Sequence, residues 1–201
     1  MKTNYDPIIF CQSESLNLEI NTLDKVIIAE NYGKELEVLK EEGIDESLLT
    51  YTNNGIGIGI AKSITVDEKD IIIFSEKFLS MMKEKTLLNI IAHELSHIDD
   101  RNKKKICMQD FFNEKYSNYQ DRVYYPLVKA SWAEFYANYK ASSYLTERNI
   151  NYTHTLFFDA INKFDENIFD KKWDYQNNII NLDEFMNSFK KYAYFLFKQA
   201  A

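Results

Sequence analysis

The run His93-Glu94-Leu95-Ser96-His97 is the part of the sequence whose residue types and spacing fit chemistry most directly. In a helix, residues four apart lie on one face, one turn from each other. Two imidazoles placed in this way can both reach one metal ion at the ~2.0–2.1 Å typical of zinc. Glu94, about 100° further round the helix, would lie beside a metal-bound water without being forced to bind the metal. The pattern therefore predicts a hydrolytic zinc site with two ligands and one general base on a single element.

A third ligand is needed, because catalytic zinc usually takes three protein ligands and keeps one position for water. Glu134 is a carboxylate in an apolar, aromatic segment, two residues after Trp132 and directly before Phe135. Burying an unpaired charge is costly, and a zinc ion would supply the missing partner. The alternative is a solvent-exposed glutamate, since glutamates are mostly found at the surface.

The His-Glu-x-x-His motif together with the downstream run Glu134-Phe135-Tyr136-Ala137-Asn138 resembles the gluzincin metallopeptidases. Among them it resembles the short intracellular, repressor-cleaving peptidases of the ImmA/IrrE type. The resemblance covers roughly residues 70–145. It implies a zincin-like fold and a zinc-dependent endopeptidase whose substrate is a peptide or an intracellular regulatory protein.

The same resemblance assigns roles to individual residues. It implies that His93, His97 and Glu134 bind Zn²⁺ and that Glu94 is the catalytic base. Asn138, one turn after Glu134, matches a position that supports a ligand histidine by accepting its ring N–H, which fixes the tautomer and orientation of the ring.

Several other polar residues are candidates for supporting roles. Asp99 or Asp100 could orient a ligand histidine, or both could be acidic residues at a frayed helix end. His154 and Tyr136 are candidates for stabilising the oxyanion of a tetrahedral intermediate. The alternatives are a loop histidine for His154 and an ordinary core or surface aromatic for Tyr136.

The periodicity of apolar residues and the positions of helix-breaking residues predict the elements that must position these side chains. Apolar residues at helical spacing predict a helix over 22–41, which Gly43 would end. Period-two alternation over Gly55–Ile60 and on to Val66, then a turn, predicts a hairpin with a second strand over Ile71–Phe74. That second strand is also a candidate for pairing with an extended substrate backbone.

The remainder of the chain is predicted to be helical. Ser75 and Thr86 are expected to cap helices over 76–84 and from 86 to about Asp99. Pro126 fits the first turn of a long helix over 127–147. Further helices are predicted at 155–168, 172–181 and 183–199, the last of these capped by Asp183.

The predicted architecture is α+β, mainly helical and zincin-like, with a small β-sheet or hairpin packed on the helix that carries the motif. One domain over residues 1–201 is expected, with its core at about 50–148 and a C-terminal helical extension at about 150–199. The net charge of −7 argues against a nucleic-acid partner. The short basic run Arg101–Lys105 is expected to mark a solvated helix end.

The cysteine content and the lack of a visible signal peptide or membrane span bear on the compartment of the protein. Two cysteines without framework spacing indicate reduced thiols. The sequence has no visible signal peptide or membrane span, so a cytoplasmic protein without a membrane partner is expected. Two rival functions stay open: a catalytically silent zinc-binding or protein-interaction module, and a metal-free regulator in which the motif is accidental.

Overall fold

The computed structural model describes residues 6–45, 61–107 and 118–200. The fold is α+β and mainly helical, as predicted. The chain divides into two compact units, the first formed by 1–109 with 139–144 and the second by 110–138 with 145–201. The single zincin-like domain, with its proposed core and C-terminal extension, stays a prediction.

A three-stranded mixed sheet forms the centre of the first unit. Its strands are β1 (Leu23–Ala29), β2 (Ala61–Val66) and β3 (Lys69–Ser75), in the order β1-β3-β2. The central strand β3 pairs parallel with β1 and antiparallel with β2. The predicted hairpin is therefore confirmed for its described part. The idea that Ile71–Phe74 pairs with substrate is wrong, because β1 and β2 already occupy the two edges of β3.

The turn between β2 and β3 has the backbone that a tight hairpin requires. Asp67 and Glu68 have φ values of 47° and 63°. Two consecutive residues with positive φ twist the connection in the same sense as the flanking strands. The earlier alternating run Gly55–Ile60 lies outside the described residues.

The helix predicted over 22–41 is wrong in its first half. Residues Leu23–Ala29 form β1, and only Tyr32–Glu41 form a helix, α2. The β-branched pair Ile27-Ile28 favours extended backbone, and β3 supplies the hydrogen-bonding partner, with Ile27 opposite Ile73. As predicted, Gly43 follows the end of α2, with a φ of +93°.

Helices cover the sheet of the first unit. These are α1 (Asp6–Ser15), α2, α3 (Glu76–Met81) and α4 (Glu84–Cys107). The core that joins the sheet to α1, α3 and α4 contains Ile9, Leu18, Ile72, Phe74, Leu79, Ile91, Leu95 and Ile98. The core shared by the sheet and α2 contains Ile27, Ala29, Tyr32, Leu36, Leu39, Ile64 and Ile73. The predicted packing of the sheet on the motif's helix is thus observed.

The ends of α3 and α4 differ from the predicted ones. Ser75 is the N-cap residue of α3, but among the described residues its side chain makes no capping hydrogen bond. Helix α4 begins at Glu84, so Thr86 lies inside it and is not its cap. The helix also continues to Cys107, two turns beyond the predicted end near Asp99.

The second unit is helical in its described residues. It contains α5 (Tyr119–Ala141), α6 (Glu147–Gln176) and α7 (Leu182–Ala200). The last three residues of α5 belong to the first unit. A short 3₁₀ turn, Ser142–Tyr144, follows α5 and belongs to the first unit. Helices α6 and α7 pack through aromatic pairs, Phe164 with Phe189 and Tyr175 with Phe185.

Three predicted boundaries in this part of the chain are wrong. Helix α5 begins at Tyr119, so Pro126 lies inside it, and Asn118 caps it by accepting the Asp121 N–H at 2.9 Å. The predicted helices 155–168 and 172–181 are one continuous helix, α6. The cap of α7 is Asn181 instead of Asp183: Asn181 Oδ1 accepts the Glu184 N–H, and Glu184 Oε2 accepts the Asn181 N–H. No described helix is apolar over a length that would cross a bilayer.

Candidate metal centre

Helix α4 brings the two histidines of the motif together on one of its faces. The Nε2 atoms of His93 and His97 are 3.0 Å apart. Their ring centroids are 4.7 Å apart and the ring planes are almost perpendicular, at 87°. Both side chains are half-buried. The one-turn spacing predicted from the sequence thus produces a pair of converging imidazole nitrogens.

This nitrogen pair fits a shared zinc ion. Two nitrogens bound to one ion at 2.0–2.1 Å can be at most about 4.2 Å apart, and about 3.4 Å apart at a tetrahedral angle. The observed 3.0 Å between the two Nε2 atoms is within that limit and close to the tetrahedral value. Neutral imidazoles are also among the ligand types that zinc prefers. His93 and His97 therefore have both the geometry and the chemistry of two zinc ligands.

The residues between the histidines are held in the interior. Glu94 is 8% exposed, and Leu95 and Ser96 are fully buried. The Ser96 hydroxyl donates to the Ala92 carbonyl at 2.7 Å, so its hydrogen bond is made within the helix. A packed helix on this side keeps the motif from rotating, which fixes the carboxylate of Glu94 relative to the two rings.

The helix does not fray after the motif. Asp99 is fully buried, and its Oδ1 accepts the Glu19 N–H at 2.7 Å and lies 2.8 Å from Lys103 Nζ. Asp100 is 4% exposed and pairs with Lys104. The alternative in which Asp99 and Asp100 are acidic residues at a frayed helix end is therefore wrong. The basic run Arg101–Lys105 does lie near the C-terminal end of α4, with residues 101–104 half-buried. The role of Asp100 in orienting a ligand histidine, from a position three residues after His97, stays a prediction.

A buried polar network around Asp70 ties α4 to the sheet. Asp70, on β3, is 1% exposed. Its carboxylate accepts hydrogen bonds from the hydroxyls of Thr22 and Thr65 and from Arg101 of α4, whose Nη2 is 2.8 Å away. The ion pairs of the preceding paragraph could be predicted from the sequence, because Asp99 and Lys103 have the i,i+4 spacing of neighbours on one helix face. The sequence carried no local signal for Asp70 with Arg101, which are far apart in the chain.

The remaining candidates lie on α5 and α6, in the second unit. Glu134 and Tyr136 are half-buried, and Asn138 is exposed one turn after Glu134 on the same helix. His154 is exposed and packs edge-to-face on Phe158, with ring centroids 4.9 Å apart. It lies within α6, so the alternative of a loop histidine is wrong.

Comparison with known proteins adds no assignment. No protein-family model, curated protein or solved structure matches the chain.

Proposed function

We propose that the protein is a zinc-dependent endopeptidase in which His93 and His97 bind the metal and Glu94 is the general base. The observation that carries the proposal is the pair of Nε2 atoms 3.0 Å apart on α4, with the buried Glu94 directly after the first histidine. A purely structural zinc site would need no carboxylate base at this position, and structural sites are usually closed by cysteine and histidine.

Glu134 is the proposed third ligand. Helix α5 ends in the first unit, where the Ala141 carbonyl accepts a hydrogen bond from Asn89 Nδ2 at 2.9 Å. Asn89 lies one turn before His93 on α4. Glu134 lies seven residues before Ala141, which places the two on one face of α5. The His/His/Glu set is the one that the resemblance to gluzincins implies.

The chemistry follows from this set of residues. A zinc ion held by His93, His97 and Glu134 would lower the pKa of a bound water to about 7 and polarise the scissile carbonyl. Glu94 takes a proton from the attacking water and later passes it to the leaving amine. Its burial keeps the carboxylate in place for both transfers.

Supporting roles are proposed for four further residues. Asn138 and Asp100 are the proposed partners of ligand-histidine N–H groups, which would fix the ring tautomers. Tyr136 and His154 are the proposed sources of a hydrogen bond to the developing oxyanion. The proposed substrate is a peptide or protein.

Metal content tests the ligand set. Purified parental protein, His97→Ala and Glu134→Ala are dialysed without chelator and their zinc is measured by elemental analysis. We expect about one zinc per parental chain and a sharp loss in both variants. His154→Ala, which removes the other histidine of the chain, is the matched control and should keep its zinc. Retention by Glu134→Ala alone would mean a different third ligand, and absence of zinc from reconstituted parental protein would overturn the proposal.

Activity tests the base. The zinc-loaded protein is incubated with a proteome-derived peptide library, and new N-termini are identified by mass spectrometry. Glu94→Gln should keep its zinc and lose roughly 10²–10⁴-fold in cleavage rate. A zinc-loaded parental protein that cleaves nothing would favour the catalytically silent zinc-binding or interaction module.

A further inference from the structure

An exposed apolar stripe follows one side of α5. Residues three or four apart in a helix lie on one side of it, and five large hydrophobic residues at this spacing are 45–66% exposed: Tyr124, Val128, Trp132, Phe135 and Tyr139. The buried residues Leu127 and Ala137 lie on the other side of the helix. At 100° per residue, Glu134 lies about 120° round from the middle of this α5 stripe. The stripe is therefore separate from the metal-binding set proposed above.

A second exposed stripe lies on α6. Phe158, Phe169 and Trp173 share one side of this helix and are 52%, 70% and 54% exposed. Asn162 and Asp165 lie on the same side between them. Both stripes are therefore exposed in the single chain, and neither covers the other. Contiguous exposed apolar surface of this kind marks sites of protein–protein interaction.

The two stripes have the same length. The α5 stripe runs from Tyr124 to Tyr139 and the α6 stripe from Phe158 to Trp173, and each of these spacings is about 22 Å along a helix. An antiparallel alignment therefore matches the stripes end to end. The opposed pairs are Tyr124 with Trp173, Val128 with Phe169, Trp132 with Asp165 and Tyr139 with Phe158. An aspartate can accept the N–H of an indole, so the carboxylate inside the α6 stripe has a partner in this alignment.

Charged residues border the two stripes on sides that would meet. Lys129 borders the α5 stripe, and the exposed residues Asp159, Glu166 and Asp170 border the α6 stripe on the corresponding side. In an antiparallel helix pair the corresponding sides face each other, so the alignment places Lys129 between Glu166 and Asp170. Pairing α6 with a second α6 would instead bring two acidic borders together, which is repulsive. The occupant that suits the α6 stripe is therefore α5.

We propose that two copies of the protein form a two-fold symmetric dimer, in which α5 of each copy docks antiparallel on α6 of the other. An aromatic side chain has an area of about 150–250 Å², and the seven aromatic residues of the two stripes are about half exposed. One copy therefore offers roughly 700 Å² for burial, close to the roughly 800 Å² that each partner contributes to a standard interface. A single α5–α6 contact would use only one stripe of each copy, so the contact is made twice. The dimer depends on neither zinc nor peptidase activity.

Reversal of charge in separate copies tests this arrangement. One variant carries Lys129→Glu, and the other carries Glu166→Lys with Asp170→Lys. Sedimentation velocity of the full parental chain should show twice the chain mass of 23.8 kDa as its concentration rises. Each variant alone meets like charges at both contacts, so its dissociation constant should rise about tenfold or more. An equimolar mixture has opposite charges at both contacts and should dimerise nearly as tightly as the parental protein. Glu37→Lys, which reverses an exposed charge on α2, is the matched control and should have no effect.

Cross-linking tests the alignment itself and does not rely on the charge variants. In a background with Cys11→Ser and Cys107→Ser, which removes both cysteines of the chain, Val128→Cys in one copy should form a disulfide with Phe169→Cys in another. Lys163→Cys, on a different side of α6, should not. A parental chain that stays at 23.8 kDa even at millimolar concentration would overturn the proposal. A dimer that the mixed charge variants do not restore, or that cross-links equally at both α6 positions, would do the same.

Discussion

Replacing Asp70 with alanine should destabilise the first unit more than any surface substitution of an aspartate. Asp70 is almost fully buried and accepts hydrogen bonds from two hydroxyls and one guanidinium. Alanine would leave Thr22, Thr65 and Arg101 without this acceptor. The link from β3 to the second half of α4 would be lost with it.

The size of the effect can be worked from these contacts. A hydrogen bond to a charged group contributes about 1.5–3 kcal/mol, and the low end is suitable for each threonine. The side chain of Arg101 is 31% exposed, so its ion pair is screened by solvent and contributes about 1 kcal/mol. The expected loss is about 4 kcal/mol, a large part of the 5–15 kcal/mol that stabilises a typical domain.

Hydrogen–deuterium exchange measured by mass spectrometry gives a local readout. A loss of about 4 kcal/mol should raise exchange of protected β3 and α4 amides by about a thousandfold. Asp24→Ala is the matched control. Asp24 is 52% exposed and lies 3.4 Å from Lys69 Nζ, which is 65% exposed, so its removal should change stability by less than about 0.5 kcal/mol.

The difference in exchange between Asp70→Ala and Asp24→Ala tests whether the Asp70 network holds α4 to the sheet. If Asp70→Ala raises exchange in β3 and α4 no more than Asp24→Ala does, the network does not hold the helix to the sheet. Asp70→Asn adds a further check. It keeps the size of the side chain and one acceptor oxygen, so its cost should fall between those of the two alanine variants.

Three further predictions concern individual backbone and charge features. Gly43→Ala should cost about 1 kcal/mol, because its φ is +93° and an added Cβ would meet no atom within 4 Å; urea denaturation measures the loss. Asn181→Ala should lower stability by about 1 kcal/mol through loss of the α7 cap, while Asp183→Ala, at a position that does not cap, should have little effect in the same assay. Asp174 raises the pKa of Lys171 above its ordinary value of 10.5 through a hydrogen bond and its charge. A raised folded pKa means that this stabilisation is present below pH 10.5 and is lost above it, so parental and Lys171→Met proteins should differ in thermal stability at neutral pH and converge at higher pH.

The spacing of residues in the sequence was sufficient to predict the part of the candidate site that lies on one helix. The i,i+4 relation of His93 and His97 fixes their relative position as soon as the segment is helical. The apolar residues of α4 ensure that it is. The hairpin was equally predictable, because the strands β2 and β3 are adjacent in the sequence and joined by a two-residue turn.

Features that depend on a distant partner could not be predicted in the same way. Residues Leu23–Ala29 show apolar spacing that suits a helix, and β3 makes them a strand. The buried positions of Asp99 and Asp100 follow from the length of α4 and from its contact with Glu19. A charge pattern alone could not distinguish such a paired, buried segment from a solvated helix end.

The parallel pairing of β1 with β3 also has a consequence for the order of folding. Strands β2 and β3 are joined by a turn of two residues, whereas the residues that pair β1 with β3, such as Ile27 with Ile73, are far apart in the sequence. Loop closure costs more entropy as the intervening chain lengthens. The hairpin should therefore form early and β1 should dock late. During synthesis on the ribosome, β1 emerges before its partner strand β3 has been made. The apolar residues of β1 and α2 therefore cannot be buried against the sheet until β3 has also emerged.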